Sequence, residues 1–270
     1  MSKLDLIAEI GKNFIDSIKK KDFNECLGDV ERLVHWAKLS NATVVKFQCH
    51  VLEDERKKRD ESRWSWIRIN EEATPVEFWQ RLKGFCDWQG VEMLVTPMSK
   101  MAAQKVNDLV NRWKVSSADI VDMELLEYLK STKKPIILSV GMSTQQQVYA
   151  AVKFLKKQIQ FINYCVSLYP TPIYKIDLSN ILKLKEKYGL PVGFSDHSLS
   201  IEVPALAVRM GACAVEKHFT LDRNAFGPDH KISLLPDEFK KMVELCKLAE
   251  TEGESFESEK EQWKTFRINI

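Results

Sequence analysis

Apolar positions along the chain fall into two alternating patterns. Short, nearly unbroken runs recur at LDLIAEI (4–10), ATVVKFQ (42–48), VEMLVTP (91–97), RWKVSS (112–117), PIILSV (135–140), FINYCVS (161–167), PVGFSD (191–196) and CAVEKHF (213–219). Their length and continuity are those of strands covered on both faces. Between them the spacing widens to three and four residues. VERLVHWAKL, VEFWQRLKGFCDW and PALAVRM each gather their apolar residues on one helical face. In TPVEFW, Thr74 is expected as N-cap with Pro75 at the first helical position. Eight such alternations predict an α/β chain whose parallel sheet closes into a (β/α)8 TIM barrel. An open doubly wound sheet is the rival. It would need a glycine-rich turn after an early strand to hold a dinucleotide, and no GxGxxG is present.

Barrels of this kind build their chemistry at the C-terminal ends of the strands, and here nearly every end is polar. Glu9 follows the first strand, Lys46 and Gln48 end the second, and Thr96 ends the third. Lys114, Ser117 and Asp119 belong to the fourth, Ser139 to the fifth, and Ser167 and Tyr169 to the sixth. Ser195, Asp196 and His197 end the seventh, and Glu216 and His218 the eighth. The last two strands are neighbours, so His197 and His218 are expected side by side. A lone histidine would read as a core imidazole bonded to a carbonyl. Two at equivalent places, each near a carboxylate, read as ligands of a divalent ion that keeps open positions for water and substrate, with Asp196 or Glu216 orienting the rings. Four protein ligands, as a structural zinc would want, are not in sight.

Lys46 and Lys114 stand in otherwise apolar strands. Facing the mouth with Ser117, Ser139 and Ser195, they make a cradle for a phosphate or carboxylate; facing outward, they would be lysines snorkelling out of the core. Glu9 reads as a base, as a holder of substrate hydroxyls, or as the structural partner of a lysine. Cys165 has no adjacent base and is not expected to be a nucleophile.

Composition narrows the field. The 270 residues are 44% hydrophobic and 29% charged with a net charge of +2, so nothing calls for nucleic acid. The basic knot ERKKRD (55–60) is interleaved with acids and reads as a solvated loop. Six scattered cysteines without a CxxC pair fit a reducing compartment. With no signal-like N-terminus and no apolar run approaching the roughly 20 residues of a span, a soluble, cytoplasmic protein without membrane contact is expected. The residues alone imply a metal-dependent barrel enzyme for a small anionic, polyhydroxylated substrate.

AEIGKN, VVKFQ, VTP, KVSSAD, PIILSVGMS, YCVSLYPTP, PVGFSDHS, GACAVEKHFTLD and GPDHKISLLPDEF run in this order over nearly the whole chain. They resemble the successive motifs of the sialic acid (N-acetylneuraminate) synthase barrel. The resemblance implies condensation of phosphoenolpyruvate with an open-chain N-acyl amino sugar such as N-acetylmannosamine, with release of phosphate. By the same resemblance His197 and His218 match metal ligands, for Mn²⁺ or Mg²⁺. Lys46, Lys114, Ser117, Ser139, Ser167 and Ser195 match phosphoenolpyruvate positions. Glu9, Gln48, Asp119, Tyr169, His218 and Asp229 match positions around the sugar, Glu9 and His218 being the expected catalytic pair, and Thr96 joins the substrate-binding set. Other acceptors, of legionaminate or pseudaminate type, and a non-catalytic barrel that partners another synthase are alternative readings.

The sequence departs from the family's pattern where Phe14 follows Asn13 and in TPMSK after the third strand. Residues 1–250 are expected to form the barrel, and 251–270 a tail resembling the linker to an antifreeze-like domain that the family usually carries and that is expected to be missing here. That domain reaches across a dimer in the family, so a homodimer or a partner chain supplying the lid is the implied assembly.

Overall fold

The computed structural model describes residues 4–15 and 22–252. The elements alternate as β1 (Asp5–Gly11), α1 (Phe23–Leu39), β2 (Val44–Cys49), α2 (Leu52–Glu55), α3 (Trp64–Ala73), α4 (Val76–Gln89), β3 (Glu92–Pro97), α5 (Lys100–Val106), β4 (Trp113–Val115), α6 (Met123–Ser131), β5 (Ile136–Ser139), α7 (Gln145–Leu155), β6 (Ile159–Cys165), α8 (Ser179–Tyr188), β7 (Val192–Asp196), α9 (Val203–Arg209), β8 (Ala214–His218) and α10 (Pro236–Glu252). All eight strands are parallel and close in chain order, β8 pairing with β1. This is the (β/α)8 barrel that the apolar runs predict, with each strand close to its expected place. The tail expected from residue 251 lies, beyond Glu252, outside the described residues.

Strand side chains alternate between the two faces of the barrel. Outward-facing residues such as Leu6, Val45, Phe47 and Val95 join the helices in the main core. Inward, Ile7, Val44, Leu94, Ile137, Phe161 and Ala214 form a separate apolar layer that plugs the barrel. Gly193 on β7 makes room for that plug, since a Cβ there would come within 2.9 Å of the Phe161 ring and of Asn163 Oδ1. One inward position further along, the layer becomes polar: Glu9, Lys46, Thr96, Lys114, Ser139, Asn163, Ser195 and Glu216 are all buried. The apolar plug is therefore the floor on which the polar layer stands.

Thr74 does not cap α4. Its hydroxyl donates to Asn70 O (2.7 Å) at the end of α3, and Pro75 takes the N-cap without a side-chain bond. A residue before proline is kept out of the helical region, so Thr74 closes one helix while its carbonyl accepts from Trp79 Nε1 in the next (3.1 Å). Among the described residues no helix is long and apolar enough to cross a membrane.

Candidate active site

One cavity of about 1070 Å³ opens at the C-terminal ends of the strands. Of the residues expected there, Glu9, Lys46, Gln48, Thr96, Lys114, Ser117, Ser139, Tyr169, Ser195, His197, His218 and Asp229 line it. Asp119 and Ser167 do not. Asp119 is buried one step behind, accepting from Ser116 Oγ (2.6 Å) and from Arg59 Nη2 (2.5 Å), while Ser167 packs behind Gly141.

At the deep end two lysines and two carboxylates interlock. Lys46 Nζ lies 2.8 Å from Glu9 Oε2 and 3.4 Å from Glu216 Oε1, and donates to Thr96 Oγ1 (3.2 Å). Lys114 Nζ lies 3.1 Å from Glu216 Oε2. Ser195 Oγ and Asn163 Nδ2 also donate to Glu216, at 3.1 and 3.3 Å. The cradle expected of free ammonium groups is thus charge-balanced. Burial resists ionisation of Glu216, but Lys114 and Lys46 hold its carboxyl well below the usual range. The lysines split. Burial works against the charge on Lys46, yet Glu216 and Glu9 together raise its pKa; Lys114, with one carboxylate and Lys46 for a neighbour, is lowered by burial. An anion entering here meets two donors already aimed inward, with carboxylates that must yield contacts to it.

Above this layer the His197 and His218 rings stand 5.7 Å apart at 52° in the same cavity, with the Tyr169 ring 4.2 Å from His197. His197 Nδ1 is fixed by Val166 O (2.8 Å), which leaves Nε2 as its lone-pair nitrogen. Burial, with His218 beside it, lowers His197 to about 4, so the ring is neutral near pH 7. His218 Nδ1 is buried without a hydrogen-bond partner, 3.9 Å from Asp229 Oδ2. A neutral imidazole and an orphaned ring nitrogen are the donors a borderline divalent ion takes. Among the described residues no group of three or more His, Cys, Asp and Glu side chains could hold a metal ion. Two imidazoles fit an ion that shares its remaining positions with water and substrate.

Neither carboxylate expected to orient the rings does so. Glu216 is engaged with the lysines, and Asp196 accepts from Lys217 and Ser198.

Between floor and rings, Glu9 Oε1 accepts from Gln48 Nε2 (2.9 Å). Gly11 carries a φ of +56°, and a Cβ there would stand 3.2 Å from Glu9 Oε1, 3.4 Å from Gln48 Nε2 and 3.5 Å from Asp229 Oδ2. Three polar side chains contributed by β1, β2 and the loop after β8 thus converge on one small space, an arrangement able to hydrogen-bond the hydroxyls of a polyhydroxylated chain.

The segment read as a solvated loop is one only in part: Arg56, Lys57 and Lys58 on a turn, and Asp60 just past it, are exposed, while Glu55 and Arg59 line the mouth. Glu55 is fully buried, its oxygens 2.8 and 3.0 Å from His50 Nδ1. Arg59 pairs with Asp119, Lys58 with Asp122, and the Arg56 guanidinium lies over Trp64. The acids that settle this run lie some sixty residues on, beyond any local charge pattern. Lys12, His50, Glu55, Arg59 and Arg63 also line the cavity and were not expected there. His50 was legible: it continues the two-residue period of Lys46 and Gln48.

A family model described as the NeuB family matches residues 33–256. A Methanocaldococcus jannaschii protein is 38% identical over 232 residues, 83% of this chain and 67% of that one. The N,N'-diacetyllegionaminic acid synthase of Legionella pneumophila is 32% identical over 265 residues, 91% of this chain and 72% of its own length. Among solved structures, the N-acetylneuraminic acid (sialic acid) synthetase of Leptospira borgpetersenii, crystallised with citrate, superposes with a TM-score of 0.83 at 28% identity, covering 99% of this chain and 94% of that one.

Proposed function

The chain belongs to the NeuB family of sialic-acid-type sugar-acid synthases, and from that premise we propose that it joins phosphoenolpyruvate to an open-chain N-acyl amino sugar, releasing phosphate and a 2-keto sugar acid. The observation that carries this reading is the convergence of Lys46 and Lys114 on one carboxylate beneath two imidazoles in a single cavity.

In the reaction, carbon 3 of phosphoenolpyruvate bonds to the aldehyde carbon, whose oxygen takes a proton. Water adds at carbon 2, and the bond from carbon 2 to the phosphate oxygen breaks. Lys46 and Lys114 hold the phosphate and carboxylate of the enol, and with Ser117, Ser139 and Ser195 they stabilise the charge that gathers on the departing phosphate. Gln48 and Asp229 hold sugar hydroxyls. Glu9, gripped by both Lys46 and Gln48, is placed to handle protons between sugar and enol. His197 and His218 would hold a divalent ion, Mn²⁺ or Mg²⁺, which supplies Lewis-acid polarisation of the aldehyde.

The likeness to a diacetyllegionaminic acid synthase favours a second acceptor, a diamino sugar with two acyl groups, for the same chemistry. Phosphate release from phosphoenolpyruvate with Mn²⁺, measured over a panel of mono- and di-N-acylated hexoses, tests both. Turnover with one sugar class assigns the acceptor. No release with any of them, from a folded protein that still binds phosphoenolpyruvate, refutes the synthase reading and leaves a non-catalytic barrel.

A further inference from the structure

The GPDH run after β8 is only partly used by the condensation. Of residues 224–231 all but His230 line the cavity, Asp229 among them. The tip of this loop is open to solvent, Phe226 being 54% exposed. Such a loop holds a side chain in one place only if something behind it is fixed. His230 stands behind it, 4% exposed.

The ring has a contact on each side. Its Nδ1 is hydrogen-bonded to Thr220 Oγ1 (2.7 Å), a side chain buried just past the end of β8. Its opposite edge lies flush against the tip: a Cβ on Gly227 would come within 2.8 Å of Cδ2 and 3.1 Å of Nε2. Thr220 is itself anchored, since its hydroxyl donates to Asp222 O (3.1 Å) and its N–H to Leu234 O (3.0 Å). Asp229 is held from a second direction. Ser233 Oγ donates to the Asp229 carbonyl (2.6 Å) and accepts from Asn13 Nδ2 (3.1 Å), so the segment after β1 braces the loop after β8. The imidazole thus fills the space between the end of β8 and the cavity-facing tip, and the residue it follows in the chain carries the carboxylate.

We propose that His230 is a positioning residue for the sugar half of the site: wedged between Thr220 and Gly227, its ring sets the turn that aims Asp229 at the sugar hydroxyls. Asp229 Oδ2 ends this chain of contacts, in the space above Gly11 that Glu9 and Gln48 share. Lys46 and Lys114 are anchored by Glu9, Thr96 and Glu216 instead, so the enol half stands on other supports. The proposal rests on the condensation above for the identity of the ligand that Asp229 meets.

The test needs no turnover. Phosphoenolpyruvate is titrated calorimetrically into the protein. Mono- and di-N-acylated amino hexitols, which have no aldehyde, are then titrated into the protein saturated with phosphoenolpyruvate. Amide hydrogen exchange is followed over residues 224–229. In His230→Ala the best-bound hexitol is expected to bind at least tenfold more weakly, while phosphoenolpyruvate stays within twofold. Exchange at 224–229 is expected to quicken while that of the strands holds. His230→Asn, whose carboxamide keeps a hydrogen-bonding group for Thr220, is expected to bring hexitol binding back to within threefold of the parent protein. Should His230→Ala not fold, Thr220→Val compared with Thr220→Ser breaks and keeps the same bond from its other side. Hexitol affinity that survives loss of the bond overturns the proposal. Unchanged exchange in the loop, or hexitol and phosphoenolpyruvate affinities that fall together, does the same. A parent protein that binds no hexitol, in which the alanine variant still loosens the loop, counts against the condensation and not against the wedge.

Discussion

Lys217 Nζ lies 2.5 Å from Asp196 Oδ2, and both side chains are wholly enclosed. The same ammonium donates to Ser198 O (2.6 Å) and Ser200 O (3.0 Å), and Asp196 Oδ1 accepts from the Ser198 N–H (2.9 Å). His197 sits between these anchors, so a cation on β8 fixes the backbone of a ring at the end of β7. Removing one partner of a buried pair leaves the other charge uncompensated, a loss of ~3–5 kcal/mol. Lys217→Met is therefore expected to lower the urea midpoint steeply, and the double change with Asp196→Leu to recover part of it. Equal destabilisation in the single and double variants would show that the pair itself carries little energy.

The two floor lysines should not respond alike. Each gives up charged hydrogen bonds to an incoming anion, so Lys46→Met and Lys114→Met are each expected to weaken phosphoenolpyruvate binding by about 1.5–3 kcal/mol per lost bond. Lys46 also neutralises Glu9 and shares Glu216, whereas Lys114 touches Glu216 alone. Its loss should therefore cost more folding stability. Calorimetry and urea unfolding on both variants separate these effects. Equal stability with unequal affinity would contradict the charge balance described here.

Glu55 gives the mouth a pH signature. Burial raises its carboxyl from the ordinary 4.5 to about 7, against Lys12 and the Val51 N–H. Between these values the folded protein holds a proton that the unfolded chain has released. Its contribution to stability therefore falls as pH rises from about 4.5 to 7, and the cost of the buried charge is complete above 7. Lys12 runs the other way: lowered from 10.5 to about 8, it returns stability as pH rises from 8 towards 10.5. Glu55→Gln is expected to remove the decline between pH 4.5 and 7 in urea midpoints. A variant whose slope parallels that of the parent protein would place the titration elsewhere.

The barrel was legible because its strands are buried on both faces, which writes each of them as a continuous apolar run. The pairing of His197 with His218 followed from the adjacency of β7 and β8. What could not be read were partnerships across loops. Arg59 finds Asp119, and Lys114 finds Glu216 from the far side of the barrel; neither leaves a local pattern. Asp119 and Ser167 lie past the ends of β4 and β6, where the two-residue period that aims a strand side chain no longer applies.

Gly11 tests whether the space between floor and rings belongs to the sugar. Its φ of +56° lies in the left-handed region, and any β-carbon would stand within 3.5 Å of Glu9, Gln48 and Asp229 together. In Gly11→Ala the conformation alone costs ~1–2 kcal/mol, which unfolding will register. The added methyl also meets first the side chains assigned to the sugar, its three nearest neighbours, rather than the lysines assigned to the enol. The expected result is a raised KM for the sugar with the KM for phosphoenolpyruvate little changed. A variant that loses affinity for both substrates equally would mean that the two halves of the site move as one body, and the separate roles given to Glu9 and the lysines would fall.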